Sequence, residues 1–316
     1  MSFFDDLATR IEAVDSVVSV GLDADSDRLP DFLDDHDLPR WAFNRRIIDA
    51  THEHAACYKP NAAFYEDADG WRSLRETVAY AHGKGVPVLL DAKRGDIGNT
   101  ARKYAEVLDE VDAITVNPYM GQDSLQPFLQ RPETGVFVLC RTSNPGGADV
   151  QGLELESGEP LYQRVAALAD LWNEHDNVGL VVGATAPEEL EAVRESVPDL
   201  PFLVPGVGAQ GGDAEAAVEH GLTAWGGDAD DGRDVGLVNS SRGIIFAGED
   251  VGRNTVSGAA GGRETPEDAY FEVRKFPVRG MEMFICVVSP RRDGVGEALE
   301  HAIAGIKRIS GEKSQN

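Results

Sequence analysis

Val86-Pro-Val-Leu-Leu-Asp91-Ala-Lys93-Arg-Gly-Asp96-Ile-Gly-Asn-Thr100 is the stretch on which the reading of this chain turns. It joins a short apolar run to two carboxylates set around one ammonium, and then to a segment where Asn99-Thr100 opens a helix. Strand, charged turn, helix is the repeating unit of a parallel α/β fold. On an extended backbone, residues two apart project to the same side, so Asp91 and Lys93 share a face at the strand end. Such a cluster is either an active centre or an ion pair that satisfies itself.

The same unit recurs in both directions along the chain. Apolar runs at Val17–Leu22, Ala56–Lys59, Val86–Leu90, Ala113–Val116, Val136–Cys140, Val178–Val182, Phe202–Val204 and Val235–Asn239 predict eight strands. Helical spacing falls between them, at Trp41–His54, Trp71–His82, Thr100–Leu108, Leu161–His175, Pro187–Ser196 and Asp213–Glu219. Eight alternating units predict an α/β fold of the (β/α)8 TIM-barrel type, with residues 1–316 forming one domain. An open doubly wound sheet is the alternative, but no Gly-x-Gly-x-x-Gly follows the first strand. Three segments depart from the repeat: a turn-rich loop at 144–160, an acidic loop at 223–234, and an atypical insertion at about 248–292. The insertion holds Met283–Val288, which would pass for a ninth strand with no place in the barrel, and a final helix is expected at about Gly294–Ile309.

Composition limits the partners. Fifty-five Asp and Glu oppose 29 Lys and Arg, giving a net charge of −26, which repels nucleic acid and anionic membrane surfaces. Arginine outnumbers lysine 22 to 7, a balance similar to that of proteins from salt-loving microbes, so Lys59 and Lys93 at the ends of apolar runs stand out. No apolar stretch approaches the ~20 residues that cross a bilayer, and Met-Ser-Phe-Phe-Asp-Asp lacks the positive start of a secretion signal. Cys57, Cys140 and Cys286 are dispersed and odd in number, which fits core thiols of a reduced cytoplasm. No Cys/His spacing suggests a zinc site, His52 and His54 are wrongly spaced to share a helix face, and the four Trp read as packing residues.

In a (β/α)8 barrel the chemistry gathers at the C-terminal ends of the strands. Here those ends are Gly21-Leu-Asp23, Lys59-Pro-Asn61, Asp91-Ala-Lys93, Asn117-Pro-Tyr119, Arg141-Thr-Ser143-Asn, Pro205-Gly-Val-Gly-Ala-Gln210-Gly-Gly and Asn239-Ser-Ser-Arg242-Gly. So many charged groups at inner strand ends are costly unless they pair or meet a ligand. Glycines at 206, 208, 211 and 212 let backbone N–H groups approach an anion, and Arg242 offers a planar fork, so the last two ends predict a phosphate site.

In this order, the strand ends resemble the orotidine 5′-monophosphate decarboxylase family, in its longer bacterial and archaeal branch. The carriers are Gly-Leu-Asp23, Lys59-Pro-Asn61, the block from Asp91 to Thr100, Arg-Thr-Ser143-Asn-Pro-Gly, Val-Pro205 through Gly212, and Ser-Ser-Arg242-Gly, collinear from about residue 17 to 247. The segment 248–292 departs from the family pattern. The resemblance implies cofactor-free and metal-free decarboxylation of orotidine monophosphate to uridine monophosphate, with Lys93 protonating C6 beside Asp91 and Lys59. It further implies a homodimer in which Asp96 and Thr100 reach the partner's site. Asp23 would bind ribose, Ser143 would contact the pyrimidine, and Gln210 and Arg242 would hold the phosphate with Pro205 opening their loop. Two competing readings are a Mg2+-dependent sugar-phosphate decarboxylase or synthase of the same barrel superfamily, and a non-catalytic nucleotide-binding barrel.

Overall fold

The computed structural model of the chain describes residues 2–207, 212–226, 233–246, 270–278 and 281–289. Its strands in chain order begin with β1 (Val18–Gly21), β2 (Cys57–Lys59), β3 (Leu89–Arg94), β4 (Ala113–Val116), β5 (Gly135–Arg141), β6 (Val178–Val182) and β7 (Phe202–Pro205). A small antiparallel hairpin, β8 (Thr223–Trp225) and β9 (Arg233–Val235), precedes β10 (Leu237–Ser240). β1 to β7 and β10 form one parallel sheet in the order β2-β1-β10-β7-β6-β5-β4-β3. Its two ends meet where the Tyr58 N–H donates to the Pro87 carbonyl at 3.0 Å and the Asp91 N–H to the Pro60 carbonyl at 2.9 Å, so the sheet wraps into a nearly closed TIM barrel. All eight expected strands are present. β4 and β6 are buried along their whole length, as unbroken apolar runs covered on both faces should be.

The helices lie between the strands: α1 (Phe3–Val14), α2 (Pro39–Thr51), α3 (Gly70–Gly83), α4 (Gly98–Ala105), α5 (Gln122–Leu129), α6 (Leu161–Leu171), α7 (Pro187–Ser196), α8 (Ala214–Gly221) and α9 (Arg242–Ile245). Among the described residues, no helix is long and apolar enough to cross a membrane. α1 and α5 were not among the expected helices. In α1 the Ser2 hydroxyl accepts from the Asp5 N–H at 3.2 Å while Asp5 accepts from the Ser2 N–H at 2.9 Å, a reciprocal cap that starts the helix. Phe3, Phe4, Leu7 and Ile11 are buried. Each contributes about 2 kcal/mol of apolar burial. Phe3 and Phe4 meet Phe137 of β5 edge-on, with ring centroids 6.1 and 5.6 Å away, so α1 closes the floor of the barrel, opposite the strand ends that carry the charge.

Two expectations need correction, and a third is met. The apolar run Val86–Leu90 predicts a third strand that stops at Leu90, yet β3 starts at Leu89 and continues to Arg94. Its charged residues stay in the strand because β4 and β2 supply partners for them. Residues 223–234 were expected to be an acidic loop. Instead, Thr223–Trp225 and Arg233–Val235 pair as the β8–β9 hairpin, and its Trp225 indole donates to Asp5 Oδ1 at 3.0 Å, fastening the hairpin to α1. The run Met283–Val288 is the expected extra strand with no place in the barrel: it lies in β12 (Met281–Ser289), which pairs antiparallel with β11 (Tyr270–Val278) in a separate two-stranded sheet. The rest of 248–292 and the expected helix at 294–309 lie outside the described residues.

Candidate active site

Strand β3 carries Asp91 and Lys93 to the barrel rim, and β2 brings Lys59 beside them. The Asp91 carboxylate is the hub. Its Oδ1 accepts from Lys93 Nζ at 2.6 Å and Thr115 Oγ1 at 2.8 Å, and its Oδ2 accepts from Lys59 Nζ at 3.3 Å and Asn61 Nδ2 at 3.4 Å. All four donors favour the ionised form. Burial opposes the charge on Asp91, but Lys59 and then Lys93 outweigh it and hold the carboxyl down at about 2. Lys59 is buried, at 4% exposure, which by itself disfavours its ammonium; Asp91 and then Asp23 more than compensate, so it stays charged above the ordinary lysine range. Lys93 differs: its side chain is 46% exposed, so its ammonium is anchored on Asp91 yet faces the open mouth.

The close approaches that shape the rim explain two glycines. A Cβ on Gly21, at the end of β1, would overlap the Ser241 hydroxyl that follows β10. On Gly183 it would come 2.7 Å from the Ser143 Cα. Ser143 itself is half-buried after β5, with its carbonyl accepting from Thr185 Oγ1 at 3.0 Å. Asp23 follows β1, and its Oδ1 is buried with no hydrogen-bond partner. Asn239 Oδ1, at the end of β10, is likewise buried and unpaired. Buried acceptors of this kind normally meet a donor, and a ligand hydroxyl would supply one.

Pro205 ends β7 beside Asn239 of β10, so Gly206 and Arg242 follow adjacent strands. Gly206 has φ +103°, and its carbonyl accepts from the Gly212 N–H at 3.0 Å, so the base of the turn is pinched shut. Gln210 lies outside the described residues. Arg242 is exposed at the first position of α9.

Asp96 and Thr100 do not join the cluster within one chain. Asp96 Oδ1 accepts from the Ile97 N–H at 2.7 Å, and Thr100 is exposed on the first turn of α4. Ile97, next to Asp96 in the chain, is 56% exposed, and Tyr119, after β4, is 84% exposed. Of the contributors to the hub, the sequence points to Asn61 only within the strand end Lys59-Pro-Asn61, without a role, and does not single out Thr115. The signal for Thr115 was a hydroxyl inside the otherwise apolar run Ala113-Ile-Thr-Val116. Among the described residues, no three His, Cys, Asp or Glu side chains gather as a metal cluster would. A groove of about 650 Å3 between α2 and α3, lined by Trp41, Arg45 and Arg72 among others, includes none of the rim residues.

The model of the "Orotidine 5'-phosphate decarboxylase / HUMPS family" matches residues 16–253. An orotidine 5'-phosphate decarboxylase of Halorubrum lacusprofundi is 77% identical over 265 residues, covering 83% of this chain and 95% of that protein. One from Haloarcula marismortui is 72% identical over 277 residues, covering 86% of this chain and 94% of that protein. Among solved structures, the OMP decarboxylase of Leishmania donovani superimposes with a TM-score of 0.67 at 44% identity, covering 78% of this chain and 91% of that one.

Proposed function

The chain belongs to the orotidine 5′-phosphate decarboxylase family; it decarboxylates orotidine 5′-monophosphate in pyrimidine biosynthesis, and we propose that Lys93 supplies the proton that replaces the departing carboxylate. The observation that carries this reading is the Asp91 hub, which fixes the Lys93 ammonium by one end while leaving its side chain at the open mouth. The C6–carboxylate bond breaks, CO2 leaves, and the electron pair left on C6 takes a proton from Nζ. Lys93 then recovers a proton from solvent.

Magnitudes decide which interaction matters most. A substrate carboxylate ~4 Å from Asp91 is disfavoured by about 4 kcal/mol at an effective dielectric near 20. Enzymes acting on slow reactions lower barriers by up to ~23 kcal/mol or more. Repulsion of the ground state is therefore a minor share. The larger one falls to the ammonium stabilising the developing carbanion. Lys59 keeps Asp91 ionised, the unpaired Asp23 oxygen suits a ribose hydroxyl, and Ser143 reaches the ring. Pro205, Gln210 and Arg242 are assigned to the phosphate, whose binding energy positions the distant reacting carbon.

In the same reading the working form is a homodimer, with Asp96 and Thr100 of each protomer completing the other's site. Its support is that neither residue bonds to the cluster of its own chain, together with the exposure of Ile97, next to Asp96. The chain acts as a single barrel domain to which 248–292 is an addition. The buried free thiols of Cys57 and Cys140 support a cytoplasmic setting. No cofactor or metal is required. The test is the loss of orotidine monophosphate absorbance in high salt: Lys93→Ala is expected to abolish turnover while retaining binding, and wild-type turnover by that variant would end the proton-donor reading.

A further inference from the structure

The β3–β4 ladder breaks where the charged cluster sits. Leu90 pairs with Ile114 and Arg94 with Val116, so four steps along β3 match two along β4, and Asp91, Ala92 and Lys93 face Thr115 alone. A bulge of this kind strips backbone groups of their ladder partners, and a buried N–H left without one is costly. Lys93 sits at the crest of the bulge with φ +51°, a left-handed conformation that a lysine adopts only when its surroundings enforce it.

The side chain of Thr115 fills the gap. Its Oγ1 accepts from the Lys93 backbone N–H at 2.9 Å and donates to Asp91 Oδ1 at 2.8 Å. A hydroxyl has one proton and two lone-pair sites, so it makes both bonds at once. Asp91 Oδ1 is also the oxygen that holds Lys93 Nζ. One fully buried hydroxyl thus links the lysine's backbone to the carboxylate that anchors its side chain. Valine has nearly the same shape, so filling the space would not by itself require a hydroxyl there.

We infer that Thr115 is a positioning residue for the decarboxylation, locking the strained Lys93 backbone and the Asp91 carboxylate into a single arrangement. The inference rests on Lys93 as proton donor. Thr115 acts through these two residues and touches no reacting atom.

The experiment compares Thr115→Val, Thr115→Ala and Thr115→Ser with Lys93→Ala under one salt condition. The hydroxyl-free variants are expected to lose about ten- to a hundredfold in kcat, the scale of a small misplacement of a reacting group, with KM changed less than about threefold. Asp91 also loses a donor to its ionised form. The charged groups that face it are Lys59 from β2 and Lys93 on its own strand, with Asp23 beyond Lys59, so the acidic limb of kcat/KM is expected to move to higher pH. Thr115→Ser should restore both kcat and the limb. Wild-type kcat and pH profile in the hydroxyl-free variants would overturn the inference, as would a Thr115→Ser variant as impaired as Thr115→Val, which would mark a packing role. If Lys93→Ala is inactive while Thr115→Val is normal, only this inference fails. If Lys93→Ala keeps wild-type turnover, the proton-donor reading fails and takes this one with it.

Discussion

Replacing Asp91 with asparagine keeps the side chain's shape and removes the one charge that Lys59 and Lys93 share. The carboxyl is held at about 2 against an ordinary 3.8. At about 1.36 kcal/mol for each pH unit, that gap corresponds to about 2.4 kcal/mol of folding stability at neutral pH. Because the folded value is the depressed one, this contribution is present above pH 3.8 and is lost as the pH falls toward 2. Asp91→Asn also strands Lys59, whose 4% exposure leaves its ammonium with little water and, among the described residues, chiefly Asp23 to offset burial. Removing one partner of a buried pair typically costs 3–5 kcal/mol, and the two figures are compatible once that second penalty is included. Urea unfolding at pH 7 in fixed high salt measures the total, and turnover is assayed on the folded fraction. A loss below about 1 kcal/mol would refute the account of a hub that keeps both lysines charged in place. So would full kcat in the variant.

The remaining predictions concern the frame and the chemistry. His82 Nε2 lies 2.7 Å from Asp112 Oδ2, and that hydrogen bond raises the His82 pKa above its ordinary 6.5. The stabilisation is complete below pH 6.5 and lost as pH rises through the folded value, so the urea midpoint should fall from pH 6 to 8 in the wild type and flatten in His82→Gln. Gly21→Ala should lower thermal stability by crowding Ser241, and adding Ser241→Gly should recover much of the loss, as read by the melting temperature. Exhaustive chelation should leave turnover of orotidine monophosphate intact, and a loss restored by Mg2+ would favour the metal-dependent reading. Ile97→Glu with Tyr119→Asp should give a monomer by sedimentation and lower turnover, since Ile97 adjoins Asp96 and both side chains are large, apolar and exposed.

The barrel was legible because its strands are short apolar runs with polar ends, and a parallel strand covered on both faces can be little else. The rim was legible for the same reason: Lys59, Asp91 and Asp23 sit where an apolar run stops. What escaped the sequence was geometry that pairs positions far apart. Period-two logic put Asp91 and Lys93 on one side, but the ladder between them is bulged, and the residue that compensates is on β4, 22 positions from Lys93. α1 was missed because its Phe3-Phe4 pair sits among acidic residues. Its partners, Phe137 and Trp225, lie more than 130 and 220 residues away. No local pattern signals a floor plug assembled from such distant pieces.

The extra length of β3 over β4 has a bearing on protein engineering. Copying an Asp-x-Lys pair onto a regular strand of some other barrel would transfer the residue types without their aim, since there the ladder would claim the lysine's amide and leave the backbone straight. A transplant would need the two surplus residues of the strand and a hydroxyl on its neighbour. Conversely, deleting Ala92 here would remove only one of the two surplus residues and set the lysine directly after Asp91, where alternation along a strand turns it to the opposite face.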